Sequence, residues 1–131
     1  MCNDIVYLPK ICDNRGNLSF FEEKGHIPFF IKRVYWIYDV PGGKIRGGHA
    51  YKQNEEFIIA LSGSFDVVIS DGKRSEIYHL NRSYKGVYIP KMCWREIENF
   101  STNSVAFIAA STLYDETDYV RDYDEYKKMV K

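Results

Sequence analysis

The stretch Gly43-Lys44-Ile45-Arg46-Gly47-Gly48-His49-Ala50-Tyr51-Lys52-Gln53-Asn54-Glu55-Glu56-Phe57, running on to Gly63, decides how this chain folds. It reads as a strand, a short turn and a second strand. Side chains alternate across a strand, so His49 and Tyr51, two residues apart, share one face. Gly47 and Gly48 lead in, and small residues there let the backbone approach a ligand closely.

The spacing of Gly43, His49, position 51, Glu56 and Gly63 resembles the first signature motif of the cupin superfamily. Gly86-Val87-Tyr88-Ile89-Pro90-Lys91-Met92-Cys93-Trp94-Arg95-Glu96-Ile97-Glu98-Asn99 resembles the second, with Pro90 and Asn99 in register. The resemblance implies an all-β fold, an antiparallel, jelly-roll-like cupin barrel whose motif residues point inward. Tyr51 stands where the first motif has its second histidine, and Arg95 where the second motif has the last ligand. A guanidinium is always charged and has no lone pair for a metal. His49 and Glu56 alone do not make a site for Zn, Fe or Mn, so no metal is expected.

The chain has 131 residues, which predicts one domain spanning 1–131 with a substantial core. Its formal net charge is zero, so neither nucleic acid nor an anionic membrane is expected as a partner. Eleven tyrosines contribute to an aromatic fraction of 16%, enough to line a barrel as well as fill a core. Cys2, Cys12 and Cys93 are odd in number and lack metal or redox spacing, so all three are read as structural. With no signal peptide and no apolar run of about 20 residues, the expectation is a cytoplasmic chain with reduced thiols.

Short strands follow one another along the sequence. Ile5 to Ile11 is apolar-leaning; Asp13-Asn14-Arg15-Gly16-Asn17 is a turn; Leu18 to Glu22 is a second strand. Arg15 is there as a solvated loop charge or an anion contact. His26 lies in an exposed loop ending at Pro28, which forbids a central ladder position. Ile31 to Val40 puts Val34, Trp36 and Tyr38 on one face and Arg33, Tyr35 and Ile37 on the other. That second face suits a barrel mouth receiving a polar ligand; an edge strand with Arg33 in solvent fits equally. Strands over Phe57 to Leu61, Ser64 to Ile69, Glu76 to Leu80, Gly86 to Pro90, Trp94 to Ile97 and Val105 to Ala110 argue for a sandwich or barrel. Asp71-Gly72 is a hairpin signal, and His79 falls at the rim. In the tail, Tyr119, Tyr123, Tyr126 and Val130 recur at helical spacing, with acids early and lysines late. The spacing predicts a short C-terminal amphipathic helix whose tyrosine stripe packs on the barrel.

Asp13-Asn14-Arg15-Gly16, Ile31-Lys32-Arg33-Val34-Tyr35, the Arg46 to Lys52 segment and Tyr114-Asp115-Glu116-Thr117-Asp118-Tyr119-Val120-Arg121 carry a closer likeness. Over almost its whole length the chain resembles the sugar-nucleotide 3,4-ketoisomerases, small cupins that act on dTDP-4-keto-6-deoxyglucose. The resemblance implies an isomerase that moves a ketone from C4 to C3, supplying precursors of 3-amino-3,6-dideoxyhexoses for bacterial surface glycans. It also implies a homodimer, often with an N-terminal strand exchanged, and neither metal nor cofactor. Many relatives have histidine at the position of Tyr51, an acid/base there. Some have histidine at that of Arg95, a difference bearing on a gluco or galacto product.

Such a reaction needs a base for the proton at C3, stabilisation of an enediolate and an acid to protonate C4. His49 is the candidate base, with Arg95 expected nearby to keep it neutral and to stabilise the enediolate. Tyr51 is the candidate donor to the keto or enediolate oxygen, and Tyr35 a second donor. Glu56 either orients His49 or forms a salt bridge in the barrel wall. Arg15, Arg33, Arg46 and Lys52 are candidates for the pyrophosphate. Two other readings remain open from these residues: a dTDP-sugar 3,5-epimerase-like cupin, and a non-catalytic sugar-nucleotide-binding cupin.

Overall fold

The computed structural model of the chain describes residues 3–131, so the expectation for Cys2 lies outside the described residues. Twelve strands alternate with tight turns: β1 (Asp4–Tyr7), β2 (Lys10–Asp13), β3 (Gly16–Ser19), β4 (Arg33–Tyr38), β5 (Arg46–Tyr51), β6 (Glu56–Ser62), β7 (Phe65–Ser70), β8 (Ser75–Leu80), β9 (Lys85–Ile89), β10 (Trp94–Glu98), β11 (Val105–Ala110) and β12 (Tyr119–Val120). A 3-10 turn at Glu116–Asp118 precedes β12, and α1 (Tyr123–Met129) follows it. The strands form two five-stranded sheets, ordered β1-β9-β6-β11-β4 and β12-β5-β10-β7-β8, with β2-β3 a separate hairpin. All paired strands are antiparallel. The fold is the antiparallel, jelly-roll-like cupin barrel with a short C-terminal helix that the two motifs imply.

Alternation supplies the core. Phe65, Val67 and Ile69 of β7 meet Ile58 of β6, Val87 and Ile89 of β9 and Ile108 of β11 between the sheets, all buried. Each such side chain contributes roughly 1.5–3 kcal/mol by leaving water. On β4 the alternation falls as the sequence predicts: Val34, Trp36 and Tyr38 are exposed, while Arg33, Tyr35 and Ile37 turn inward. β4 is an edge strand, yet its Arg33 face lines a cavity.

Three segments depart from the sequence reading. The strand expected over Ile5 to Ile11 is cut at Pro9, which has no N–H for a ladder. β1 stays on β9, and β2 turns away to pair only with β3. The strand expected over Leu18 to Glu22 is correspondingly short, ending at Ser19. The third departure is in the tail, where the helix starts at Tyr123, not before Tyr119. Asp122 caps it by accepting from the Asp124 and Glu125 N–H groups. Tyr119 lies instead on β12, opposite Tyr51 of β5.

Gly47 is also required by the backbone itself. Its φ is +88°, and a Cβ there would sit 3.1 Å from the Arg95 carbonyl oxygen. The close approach is to β10, at a bulge between Arg95 and Glu96. Among the described residues, Cys12 is exposed and Cys93 buried, and no helix is long and apolar enough to cross a membrane.

Candidate active site

A cavity of about 910 Å³ opens at one end of the barrel. β4 brings Arg33 and Tyr35 to it, β5 Arg46, His49 and Tyr51, β6 Glu56, and β10 Arg95. At its base Arg95 and Glu56 are each about 1% exposed. Arg95 Nη1 donates to Glu56 Oε1 at 2.6 Å, while Nε and Nη2 donate to the Cys93 carbonyl at 3.3 and 3.1 Å. The other carboxylate oxygen, Oε2, accepts from the Tyr35 hydroxyl at 2.6 Å and from Asn54 Nδ2 at 3.2 Å. Asn54 is fixed in turn, its Oδ1 accepting from the Ser111 and Thr112 N–H groups.

This network corrects several expectations. Glu56 does not orient His49; it is the acid of a buried salt bridge, the other reading its sequence position allowed. Tyr35 gives its hydroxyl proton to Glu56 and is not a free donor. Arg95 uses one N–H on each of its three nitrogens to bond Glu56 and Cys93, which fixes the guanidinium at the base of the cavity. The cupin metal position also fails on these residues. Glu56 is saturated by a cation and two donors, Arg95 has no lone pair, and only His49 remains with nitrogen to offer. Among the described residues no three His, Cys, Asp or Glu side chains converge.

Above this base stand three aromatic rings. The His49 and Tyr51 centroids are 4.9 Å apart and edge-on, His49 and Tyr119 are 5.0 Å apart, and Tyr51 and Tyr119 4.7 Å. The Tyr51 hydroxyl donates to that of Tyr119 at 3.2 Å. The Arg95 guanidinium carbon lies 4.9 Å from the centre of the Tyr51 ring, a cation–π contact. Both ring nitrogens of His49 are buried without a hydrogen-bond partner. An unsatisfied buried polar atom carries a desolvation cost of about 1–3 kcal/mol, which a ligand placed against it removes.

Burial, and then the positive charges of Arg95 and Arg121, lower the His49 pKa to about 3; the Gly47 backbone opposes the shift. Sequence reasoning assigns the neutral imidazole to Arg95 alone, but desolvation is the larger cause. Burial first, and then Glu56, push the Tyr51 hydroxyl far above the usual phenol range. Tyr35 rises well above that range for the same two causes. At neutral pH all three groups are uncharged.

Of the expected phosphate contacts, Arg33 and Arg46 line the cavity. Arg33 lies 5.5 Å from the Tyr35 ring and 5.8 Å from that of Tyr114, and its Nε is buried without a partner. Lys52 is an exposed turn residue outside the cavity wall, held by its N–H to the Asp118 carbonyl at 2.9 Å. Arg15 sits at the tip of the β2-β3 hairpin, bonded to Asp13 at 2.7 Å, and does not reach this cavity. The cavity wall also includes Tyr114, Tyr119 and Arg121, which the sequence reading did not place in the site. Arg121 pairs with Glu116 at 3.0 Å and lies 4.1 Å over the Tyr119 ring. Glu116 also accepts from the Tyr114 hydroxyl. A signal was present: Asp115 followed by Thr117 is a local cap, which argues for a short turn before Tyr119 and against a continuous helix.

Comparison with known proteins places this geometry. The family model FdtA, described as WxcM-like, C-terminal, matches residues 1–131. A TDP-4-oxo-6-deoxy-alpha-D-glucose-3,4-oxoisomerase from Aneurinibacillus thermoaerophilus is 42% identical over 130 residues, covering 99% of this chain and 94% of that one. The crystal structure of a 3,4-ketoisomerase from Helicobacter canadensis superposes with a TM-score of 0.96 at 42% identity, over 99% of this chain and 98% of that one. A mutant of the Thermoanaerobacterium thermosaccharolyticum 3,4-ketoisomerase, solved with TDP-4-keto-6-deoxyglucose, gives 0.95 at 36% identity, over 98% and 93%. A dTDP-4-dehydrorhamnose 3,5-epimerase from Bacillus anthracis reaches 0.81 at only 16% identity, over 92% and 78%, and shares the fold alone.

Proposed function

The chain belongs to the FdtA family, and from that membership and its cavity we propose that it is a dTDP-4-keto-6-deoxyglucose 3,4-ketoisomerase working by acid/base catalysis at His49. The observation that carries the catalytic assignment is His49 itself: a neutral imidazole with both nitrogens buried and unpartnered, facing the cavity beside a phenol.

His49 takes the proton from C3, and the C–H electron pair becomes the C3=C4 bond of the enediol. The carbonyl electrons move onto O4, which takes a proton from Tyr51. The imidazolium then returns its proton to C4 as O3 passes its own out through the Tyr51 hydroxyl and becomes the new ketone. Burial and Arg95 make the imidazolium a strong acid, so the return step is favoured. Negative charge developing on O4, ahead of the proton from Tyr51, stabilises the imidazolium as it forms. Arg33 and Arg46 hold the pyrophosphate, where guanidinium forks match phosphate oxygens.

Supporting a homodimer, the β2-β3 hairpin leaves its sheet with Ile11 and Leu18 exposed, and the outer face of β4 exposes Val34, Trp36 and Tyr38. We read the hairpin as the exchanged segment, carrying Arg15 toward a second copy. The exposed, free Cys12 fits a reducing compartment, and we place the enzyme in the cytoplasm. The 3,5-epimerase reading falls away, because His49 and Tyr51 stand on one face of one strand, and epimerisation needs groups on both faces of the sugar ring.

The test is His49→Asn. Turnover is expected to fall below detection while dTDP still binds with nearly unchanged affinity by calorimetry. Turnover within tenfold of the parent enzyme would overturn the assignment of the base.

A further inference from the structure

The isomerisation moves two kinds of proton. His49 handles the carbon-bound one, passing it from C3 to C4. The oxygen-bound protons need another route, since O4 gains one and O3 loses one. Tyr51 meets O4, but Tyr51 is about 1% exposed and so nearly shut off from bulk solvent. Its hydroxyl makes a single described hydrogen bond, 3.2 Å to the hydroxyl of Tyr119.

Resting on the ketoisomerase reading, we propose that Tyr119 is the proton relay of this site, restoring to Tyr51 the proton that Tyr51 gives to the substrate oxygen. Three observations meet on it. Tyr119 lines the same cavity and is half-buried where Tyr51 is sealed. Its position is set by backbone pairing, Tyr119 lying opposite Tyr51 across the β12-β5 ladder. The turn before it is locked by Asp118, whose carboxylate accepts from the N–H groups of Gln53 at 2.7 Å and Asn54 at 3.1 Å. The third is charge: the Arg121 guanidinium lies 4.1 Å over the Tyr119 ring and stabilises negative charge developing there.

The step balances without a further reactant. Each phenol both donates and accepts, so the bond between them reverses when the hydroxyls rotate. The Tyr51 O–H bond breaks as O4–H forms. The Tyr119 O–H proton passes to the Tyr51 oxygen, and water at the mouth reprotonates Tyr119. When O3 gives up its proton, the same wire carries it outward, and no net proton is gained or lost. A phenolate left on Tyr51 would sit in a dry pocket near the Glu56 carboxylate, which is why reprotonation must accompany the transfer.

Tyr119→Phe removes the hydroxyl and keeps the ring that packs on His49 and Tyr51. We expect kcat to fall by about tenfold or more with KM changed less than about twofold. In mixtures of light and heavy water, the parent enzyme should give a curved dependence of kcat on deuterium fraction, from two protons in flight, and the variant a straight one. A purely structural role would not straighten that plot. A variant with parental kcat overturns the relay. So does a straight plot for the parent enzyme, a measurement that needs no variant and decides the matter even where Tyr119→Phe folds poorly. If the parent enzyme forms no 3-keto sugar, the functional reading fails with the relay; if it forms the product with a straight plot, only the relay fails.

Discussion

His49 is neutral because it is buried, and this has consequences for pH. With its pKa lowered to about 3, kcat/KM should show no inflection near 6.5, staying flat on the acid side between about pH 5 and 8. An inflection near 6.5 in the pH profile would show that the imidazole is solvated. Stability responds as well. The unfolded chain binds a proton at His49 below about 6.5 and the folded chain does not until about 3. Folding is therefore weakened by this residue as pH falls from 6.5 toward 3, at about 1.4 kcal/mol per unit, and that loss is absent above 6.5. Urea unfolding of parent and His49→Asn at stepped pH should differ by that slope. Tyr51→Phe should lower kcat by about 10²-fold by removing the donor, and turnover at the parental rate would contradict its role. His49, Tyr51, Glu56 and Arg95 were legible because strand alternation and motif spacing alone put them inside a barrel. Their bonds were not, since nothing in the spacing says that the partner of Glu56 is Arg95 and not His49.

At the scale of elements, the site depends on β6 and β10 being joined by a charge pair as well as by packing. Arg95→Met leaves Glu56 buried and unpaired, at a cost of about 3–5 kcal/mol of stability. Glu56→Gln in the same chain should recover much of that loss, because the burden is an uncompensated carboxylate. Thermal unfolding of the single and double variants checks this; a double variant as unstable as the single would contradict it. The strands from β4 to β11 could be read from alternation and turn residues, within a residue or two at each end. The tail could not. Tyr123, Tyr126 and Val130 do belong to a helix and its cap, but Tyr119 fits their period only by coincidence: Asp115 and Asp122 cap two separate short turns and leave Tyr119 on a strand between them. The relay residue was hidden by that false period. At the other end, Pro9 was visible in the sequence, but its effect, sending β2 off the sheet, depends on what else β1 can pair with.

For the whole molecule, the outer face of β4 and the β2-β3 hairpin leave more apolar surface in water than the barrel needs for its own folding. Trp36 is 55% exposed and stacks on Phe107 with nothing described beyond it. Trp36→Glu should raise the dimer dissociation constant by at least about tenfold in sedimentation experiments, as loss of a central aromatic anchor does. A chain that sediments as a monomer before substitution would contradict the dimer. The chemistry proposed at His49 is proton transfer between C3 and C4. It is tested most directly by incubating the purified protein with dTDP-4-keto-6-deoxyglucose in deuterated water and following the sugar by proton NMR. A 3-keto-6-deoxy sugar labelled at C4 is expected, with any label at C3 confined to recovered 4-keto sugar; label at C5, or a sugar left unchanged, would overturn the ketoisomerase reading.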